Sequence, residues 1–585
     1  MRIAELFIYL LAGSSTFAFG LLNTPNTPIQ KPFASQAVVF QPSEQRPWDA
    51  PPPDDSYDNQ IFFRLATLLQ HWPNTRYPSG SSIVPGTIPV GTTLYHGRND
   101  AEIPSTPEWL ALDPEHSALF IQGSNSRLFT FVSTRPLRIL YFDGASGTKL
   151  KSGSVDTQNF LAWGYIGNQT VFEEPALLNG LCEWGKAFNI DGYVRMEMSF
   201  EIVYCNFYQG IELVSSIHIL PTEGSHIKDV ASGKGSGDPS PPHRPELPNR
   251  IPASRPTQSS AHLQGQPRPP NWKGALLSPE ELSFEAFQAG VWHRRAPGEV
   301  RVRLDAARLV SLYDPALRSG AQIRKGLEKV QHRGKGLSQE DIDTFRSWVV
   351  GSVRPGVPAT SGVDWPALTT VIMDRYGSRL EYLQLLLSPS SVSANATAIV
   401  QDVRKQLMII LMTDLTPDTI PNNATLVGSN IGVKYPRAQA QAQTQKPRSN
   451  EWVKPILDHC SSYLVSYLPY DTFTREERTL YAAVRGTLHE VCRVLSLLWS
   501  EAYDPLPETN PVDLVDRWRV QILELMQWLD WPMWNKCTPE CGLDSICFIP
   551  TWPMGVGKGP YEQGEEDLTE VDWTPKCVPK GGKGW

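Results

Sequence analysis

Three short segments of the N-terminal half carry side chains whose types and order could do chemistry. Residues 91–98 read Gly-Thr-Thr-Leu-Tyr-His-Gly-Arg, a strand-like run ending in His96 and Gly97. Residues 107–120 read Pro-Glu-Trp-Leu-Ala-Leu-Asp-Pro-Glu-His-Ser-Ala-Leu-Phe, a strand entering a helix whose Ala118 and Phe120 are expected to face inward. Residues 200–204, Phe-Glu-Ile-Val-Tyr, place Glu201 on a strand. An imidazole can donate a hydrogen bond to a sugar hydroxyl, and a glycine lets a flat amide approach the backbone with no Cβ in the way. A phenyl ring can stack on a heteroaromatic one, a contact worth about 1 kcal/mol. A carboxylate can stabilise the positive charge that develops as a glycosidic bond breaks. Singly, each residue has a plainer use: a hydrogen-bonded core histidine, a packed phenylalanine, a solvated glutamate. It is their order along the chain that makes a site worth considering.

The common catalytic signatures are missing. The sequence holds no G-x-S-x-G elbow, no Walker A loop and no G-x-G-x-x-G opening a helix, and His489-Glu490 is followed by Val491, Cys492 and Arg493 rather than a second histidine. What the three segments do match, over residues 60–220, is a known arrangement. His96-Gly97 at a strand end, the Ala-Leu-Asp-Pro-Glu-His-Ser-Ala-Leu-Phe run and Glu201-Ile-Val-Tyr together resemble the ADP-ribosyltransferase fold of the His-Tyr-Glu kind. The resemblance implies NAD as co-substrate and no metal. It also implies His96 and Gly97 against the nicotinamide end, Phe120 stacked on that ring, and Glu201 as the catalytic carboxylate at the ribose. His96 and Glu201 would then line one cleft, with Phe120 between them. The implied activity is transfer of ADP-ribose from NAD, or hydrolysis of NAD. This sequence departs from the pattern at three places. Phe120 stands where a tyrosine is usual, Ser199 precludes a Glu/Gln-x-Glu pair with Glu201, and Arg98 follows His96-Gly97 in place of Ser or Thr. These departures leave the acceptor undefined, and they leave open a secreted binding or structural protein that keeps the fold without the chemistry.

The elements that must position these residues follow from hydrophobic spacing. Residues 59–72 have helical apolar spacing, while 93–95, 128–132, 138–142 and 194–205 read as strands. In the last run Val194, Met196, Met198, Phe200, Ile202 and Tyr204 take one face, and Glu197, Ser199, Glu201, Val203 and Cys205 the other. The mixture predicts an α+β domain over 57–220, after a Pro-rich segment at 21–56 with no core of its own. Residues 221–275 contain eleven prolines and no Phe or Tyr, too little apolar surface to offset chain entropy, and are expected to form a disordered linker. Long helices are expected at 366–387, 396–413 and 478–499. The last carries Val484, Leu488, Val491, Cys492, Leu495, Leu498 and Trp499 on one stripe. The second half thus reads as a mainly α-helical domain at 276–535, with a low-complexity insert near 421–452 and a Cys-rich tail at 536–585.

The chain has 585 residues, 53 basic and 61 acidic side chains, and a formal charge of −8, a balance that argues against a nucleic-acid partner. Arg2, the apolar run from Leu6 to Phe17, and the small residues Ala18 and Gly20 read as a signal peptide cleaved after Gly20, with an uncleaved anchor as the alternative. No later stretch is long enough to span a bilayer, so a secreted, extracellular location with no stable membrane span is expected. In that pathway Asn168, Asn395 and Asn423 become glycosylation sites. Eight cysteines suit disulfides better than the zinc site that Cys537, Cys541, Cys547 and Cys577 could otherwise form. Cys182 and Cys205 are isolated in the first half and expected to pair. Cys460 and Cys492 lie on apolar stripes of two predicted helices, where a bridge is natural. The helical half offers a surface for an unknown protein partner.

Overall fold

The computed structural model describes residues 47–580, apart from 122–124, 149, 151, 168–173, 220–276, 296, 389–394, 417–418, 421–449, 504–509 and 550–571. The expected signal peptide, residues 21–46 of the Pro-rich segment, the linker at 221–275, most of the low-complexity insert, and Asn168 and Asn423 lie outside the described residues. Asn395 lies inside them, exposed at the start of a helix, where its side chain caps the Ala398 amide.

A mixed sheet forms the N-terminal domain. Its strands are β1 (Ser82–Ile88), β2 (Thr93–Arg98), β3 (Glu108–Ala111), β4 (Arg127–Ser133), β5 (Leu137–Phe142), β6 (Gly192–Met196), β7 (Phe200–Tyr204) and β8 (Ile211–His218). Two short strands from beyond the linker, β9 (Arg303–Leu304) and β10 (Val310–Ser311), join it. The order is β10-β1-β5-β6-β7-β3-β2-β4-β8, with β9 also on β1, and only β5 and β6 pair in parallel. A separate two-stranded ribbon, β11 (Ser545–Phe548) with β12 (Lys576–Pro579), lies near the C-terminus.

Two sequence expectations change form here. The alternating run 194–205 is a hairpin rather than one strand: β6 and β7 pair with Val194 opposite Ile202 and Met196 opposite Phe200, and the Glu197 amide bonds the Ser199 carbonyl at the turn. Val194, Met196, Phe200, Ile202 and Tyr204 still share one face, because an in-register hairpin keeps directly opposed residues on the same side, whereas Met198 at the turn packs with Phe284 and Phe287 instead. The helix expected at 59–72 becomes two, Asp58–Ala66 and His71–Arg76, broken at Leu69, which adopts a left-handed φ of 57°. The later helices Trp365–Leu386, Ala396–Leu411 and Arg475–Tyr503 form as their spacing predicts.

The C-terminal region is helical and disulfide-bonded. Cys182–Cys205 and Cys460–Cys492 pair as expected, and the tail pairs Cys537–Cys547 and Cys541–Cys577. Both faces of the sheet are apolar, and helices from beyond the linker help to cover both. On one face Leu110, Phe131 and Ile202 belong to the same core as Trp365, Leu488 and Trp518. On the other, Phe142, Phe160 and Tyr193 pack with Phe345 of the helix Gln339–Val353. The two halves therefore share cores instead of each closing one of its own. A sheet buried on both sides needs that cover. Polar ties reinforce it: buried Asp156 accepts bonds from the Arg333 guanidinium (3.0 Å) and the Gly334 amide (2.9 Å).

Candidate functional site

β2, β3 and β7 bring the three segments together, and their register decides which side chains meet. Tyr95 of β2 lies opposite Ala111 of β3, which lies opposite Glu201 of β7. Residues in direct cross-strand register share a face, so Tyr95, Ala111 and Glu201 point to one side and His96 to the other. The cleft expected to hold both His96 and Glu201 is not formed. His96 is buried on the side of Leu110 and Ile202, and its Nε2 bonds the Glu108 carboxylate at 3.0 Å. Its ring meets Trp109 edge-on (centroids 5.1 Å apart) and Phe207 (5.7 Å). Among the described residues its Nδ1 makes no hydrogen bond. Burial alone would raise the Glu108 carboxyl, but bonds from His96 and Arg98 outweigh it and hold the group below the ordinary carboxylate range.

Gly97 is needed for a different reason from the one its motif implies. A Cβ there would lie 2.2 Å from the Ser117 carbonyl oxygen and 2.9 Å from Ile121. The chain's own helix Pro114–Ala118 thus occupies the approach that a flat amide would use. That helix has only five residues and turns His116 and Ser117 fully inward, whereas Ala118 and Phe120, expected to face in, are half-buried.

On the Glu201 side a second group of residues closes up. One ligand atom each of His116, Glu197 and Glu201 lie within 4.8 Å of one another. Glu201 and His116 are buried, and Glu197, at the hairpin turn, is half-exposed. Arg195, opposite Glu201 in the hairpin, binds Glu201 through Nε and reaches Glu174 with its outer nitrogen. Trp109 and Phe120 stand beside this group, their ring centroids 4.4 Å apart and 5.9 and 6.0 Å from the His116 ring. Gly147 closes the floor, where a Cβ would come within 3.0 Å of Glu201 Oε1. The turn after β3 is held from beyond the linker: Arg301 bonds the Leu112 carbonyl (2.7 Å) and Asp113 (2.9 Å), and Ser199 donates to the same carboxylate (3.2 Å).

Of the predicted site residues, then, the structure brings Phe120 and Glu201 to one face and sets His96 on the other. The motifs do not point to His116, Glu197 or Arg195, although strand alternation places Glu197 and Glu201 on one face. The two carboxylates and the imidazole could exchange a proton or face a developing positive charge. A metal ion there would have to compete with the Arg195 guanidinium for Glu201. Cys537, Cys541 and Cys577 also lie close together, but all are in disulfides and offer no thiolate.

A family model described as the YPL277C N-terminal domain matches residues 54–127 and 121–227, which carry β1 to β8. Over its length the chain is 25% identical to an uncharacterized protein of Saccharomyces cerevisiae, YOR389W, across 87% of this chain and 85% of that one. It is 27% identical to a second uncharacterized protein of the same yeast, YPL277C, across 59% of this chain and 80% of the relative. The first likeness extends to both sides of the linker. No solved structure matches.

Proposed function

We propose that this is a secreted protein whose sheet domain acts on NAD, as ADP-ribosyltransferase or NAD glycohydrolase, with Glu201 as the central carboxylate and His116 in the role expected of His96. The observation that carries the reading is the convergence of His116, Glu197 and Glu201 beside the Trp109 and Phe120 rings. Glu201, fixed by Arg195, presents a stationary negative charge to the ribose as the bond from C1′ to the nicotinamide nitrogen breaks and its electron pair leaves with nicotinamide. Phe120 and Trp109 offer the apolar wall for that ring, and His116 a hydrogen bond to a ribose hydroxyl. A water or acceptor nucleophile then bonds to C1′, and half-exposed Glu197 takes its proton. Four disulfides suit an oxidising compartment and so support secretion.

The test is nicotinamide release from NAD by the disulfide-intact protein. Glu201→Gln is expected to lower it by roughly 100-fold or more, whereas His96→Ala lowers the melting temperature with turnover per folded molecule kept. A wild-type protein that neither binds nor consumes NAD overturns the reading. A specific observation favours a second one, a binding protein that keeps this arrangement without chemistry. Glu201 is only 1% exposed, and the Ser117 carbonyl covers Gly97. On that reading Glu201→Gln costs stability, by leaving Arg195 buried without its partner, and NAD is never turned over.

A further inference from the structure

A cavity of about 520 Å³ opens where β9 joins the sheet, and three guanidinium groups line it: Arg138, Arg303 and Arg308. The register explains how two of them meet. Thr87 of β1 lies opposite Arg138 of β5 on one side and opposite Arg303 of β9 on the other. Directly opposed residues share a face, so a hydroxyl sits in a row between two cationic side chains whose backbones are about 10 Å apart.

The charges in this row are not balanced by the protein. Asp305, the acidic residue of the lining, is taken by Arg308, whose Nε bonds it at 2.8 Å while another nitrogen bonds the Pro358 carbonyl at 2.6 Å. Arg138 gives one nitrogen to the Val353 carbonyl at 3.0 Å and has others left to donate. The exposed Arg303 guanidinium makes no hydrogen bond or ion pair among the described residues. Three cations thus face one anion, in a chain whose formal net charge is −8. An anion seated over Thr87 would be within reach of both guanidinium groups at once.

We propose that this cavity binds a tetrahedral oxyanion, phosphate or sulfate, carried on a small organic molecule. Arg303, Thr87 and Arg138 would hold the oxyanion, and Ile190 and Val353, which pack on the same side of the sheet, would line the space for the remainder of the ligand. The volume fits a molecule the size of a sugar phosphate or a mononucleotide. The site is built on β1, β5 and β9, not on β3 and β7, so it is independent of the reading for Glu201.

The experiment is calorimetric titration of the full disulfide-intact chain with inorganic phosphate and with sulfate, against chloride at matched ionic strength. The expected result is saturable binding of an oxyanion that chloride does not reproduce, with Arg303→Ala weakening it about tenfold or more and Glu201→Gln leaving it unchanged. Phosphate alone or sulfate alone giving the signal identifies which ester to pursue. No saturable heat with either ion, or an affinity that Arg303→Ala leaves intact in a protein of unchanged melting temperature, overturns the proposal.

Discussion

Gly97 is the position where a single methyl group tests the packing of the strand that carries His96. With a Cβ expected 2.2 Å from a backbone carbonyl that cannot rotate away, Gly97→Ala must push the helix Pro114–Ala118 outward. The expected cost is about 2 kcal/mol, read as a lower urea midpoint; an unchanged midpoint would mean that the helix docks loosely. Two titrating groups, half-buried Asp58 and buried His332, act at the same scale with opposite signs. The Asp58 carboxyl, against Gly486 of the long helix, is raised by burial from 3.8 to about 6. Between about pH 4 and 6 the folded chain keeps a proton that the unfolded chain has lost, so this group's contribution to stability falls as pH rises. The His332 imidazole is lowered from 6.5 to about 4, by burial first and then by Arg324. Its contribution is full above pH 6.5 and is lost as pH falls toward 4, because only the unfolded chain gains the proton. Asp58→Asn is therefore expected to be more stabilising at pH 6.5 than at pH 4.5. His332→Gln is expected to flatten the acid-side loss, with Tyr313 still packed beside it. Urea midpoints measured at the two pH values check both.

The helix–helix bridge Cys460–Cys492 closes a separation of 32 residues and lies wholly inside the core. Replacing both cysteines with alanine is expected to lower unfolding free energy by roughly 3–4 kcal/mol, which denaturant titration under oxidising conditions would show. A midpoint unchanged from wild type would assign the hold to apolar packing alone. That bridge was legible because each cysteine sat on a helical apolar stripe, and long helices announce themselves by a 3.6-residue period sustained over many turns. The β6–β7 hairpin was legible only in its faces. An in-register turn leaves alternation unbroken, so the run 194–205 carried no sign of the reversal at Glu197. The candidate site was half legible for the same reason. Alternation puts Glu197 and Glu201 on one face, but only the pairing of β2 with β3 and β3 with β7 reveals that His96 faces away. His116 carried no periodic signal, because its helix is five residues long. Arg195 became a partner of Glu201 only through the hairpin register.

At the scale of the molecule the decisive fact is that Phe131 and Ile202 of the sheet share a core with Trp365, Leu488 and Trp518 of the helices. Composition shows where a chain lacks core-forming residues, as at 221–275, but not whether the segments on either side close separately. Here β9 and β10 extend the sheet from beyond that stretch, and Arg301 clamps the turn after β3 that leads to His116. The covalent connection is therefore expected to matter less than the shared surface. A protease recognition sequence placed within 221–275 should, once cut, leave two pieces that co-elute on size exclusion under native conditions. Calorimetry of the nicked protein should give one transition, coincident with loss of tryptophan fluorescence anisotropy, because neither apolar face of the sheet can be left to water while the other half stays folded. Two eluting species, or two separate transitions with the sheet melting independently of the helices, would show that each half is stable alone. In that case the Arg301 clamp could not be what holds His116 beside Glu201, since the isolated sheet half would have to keep that geometry without it.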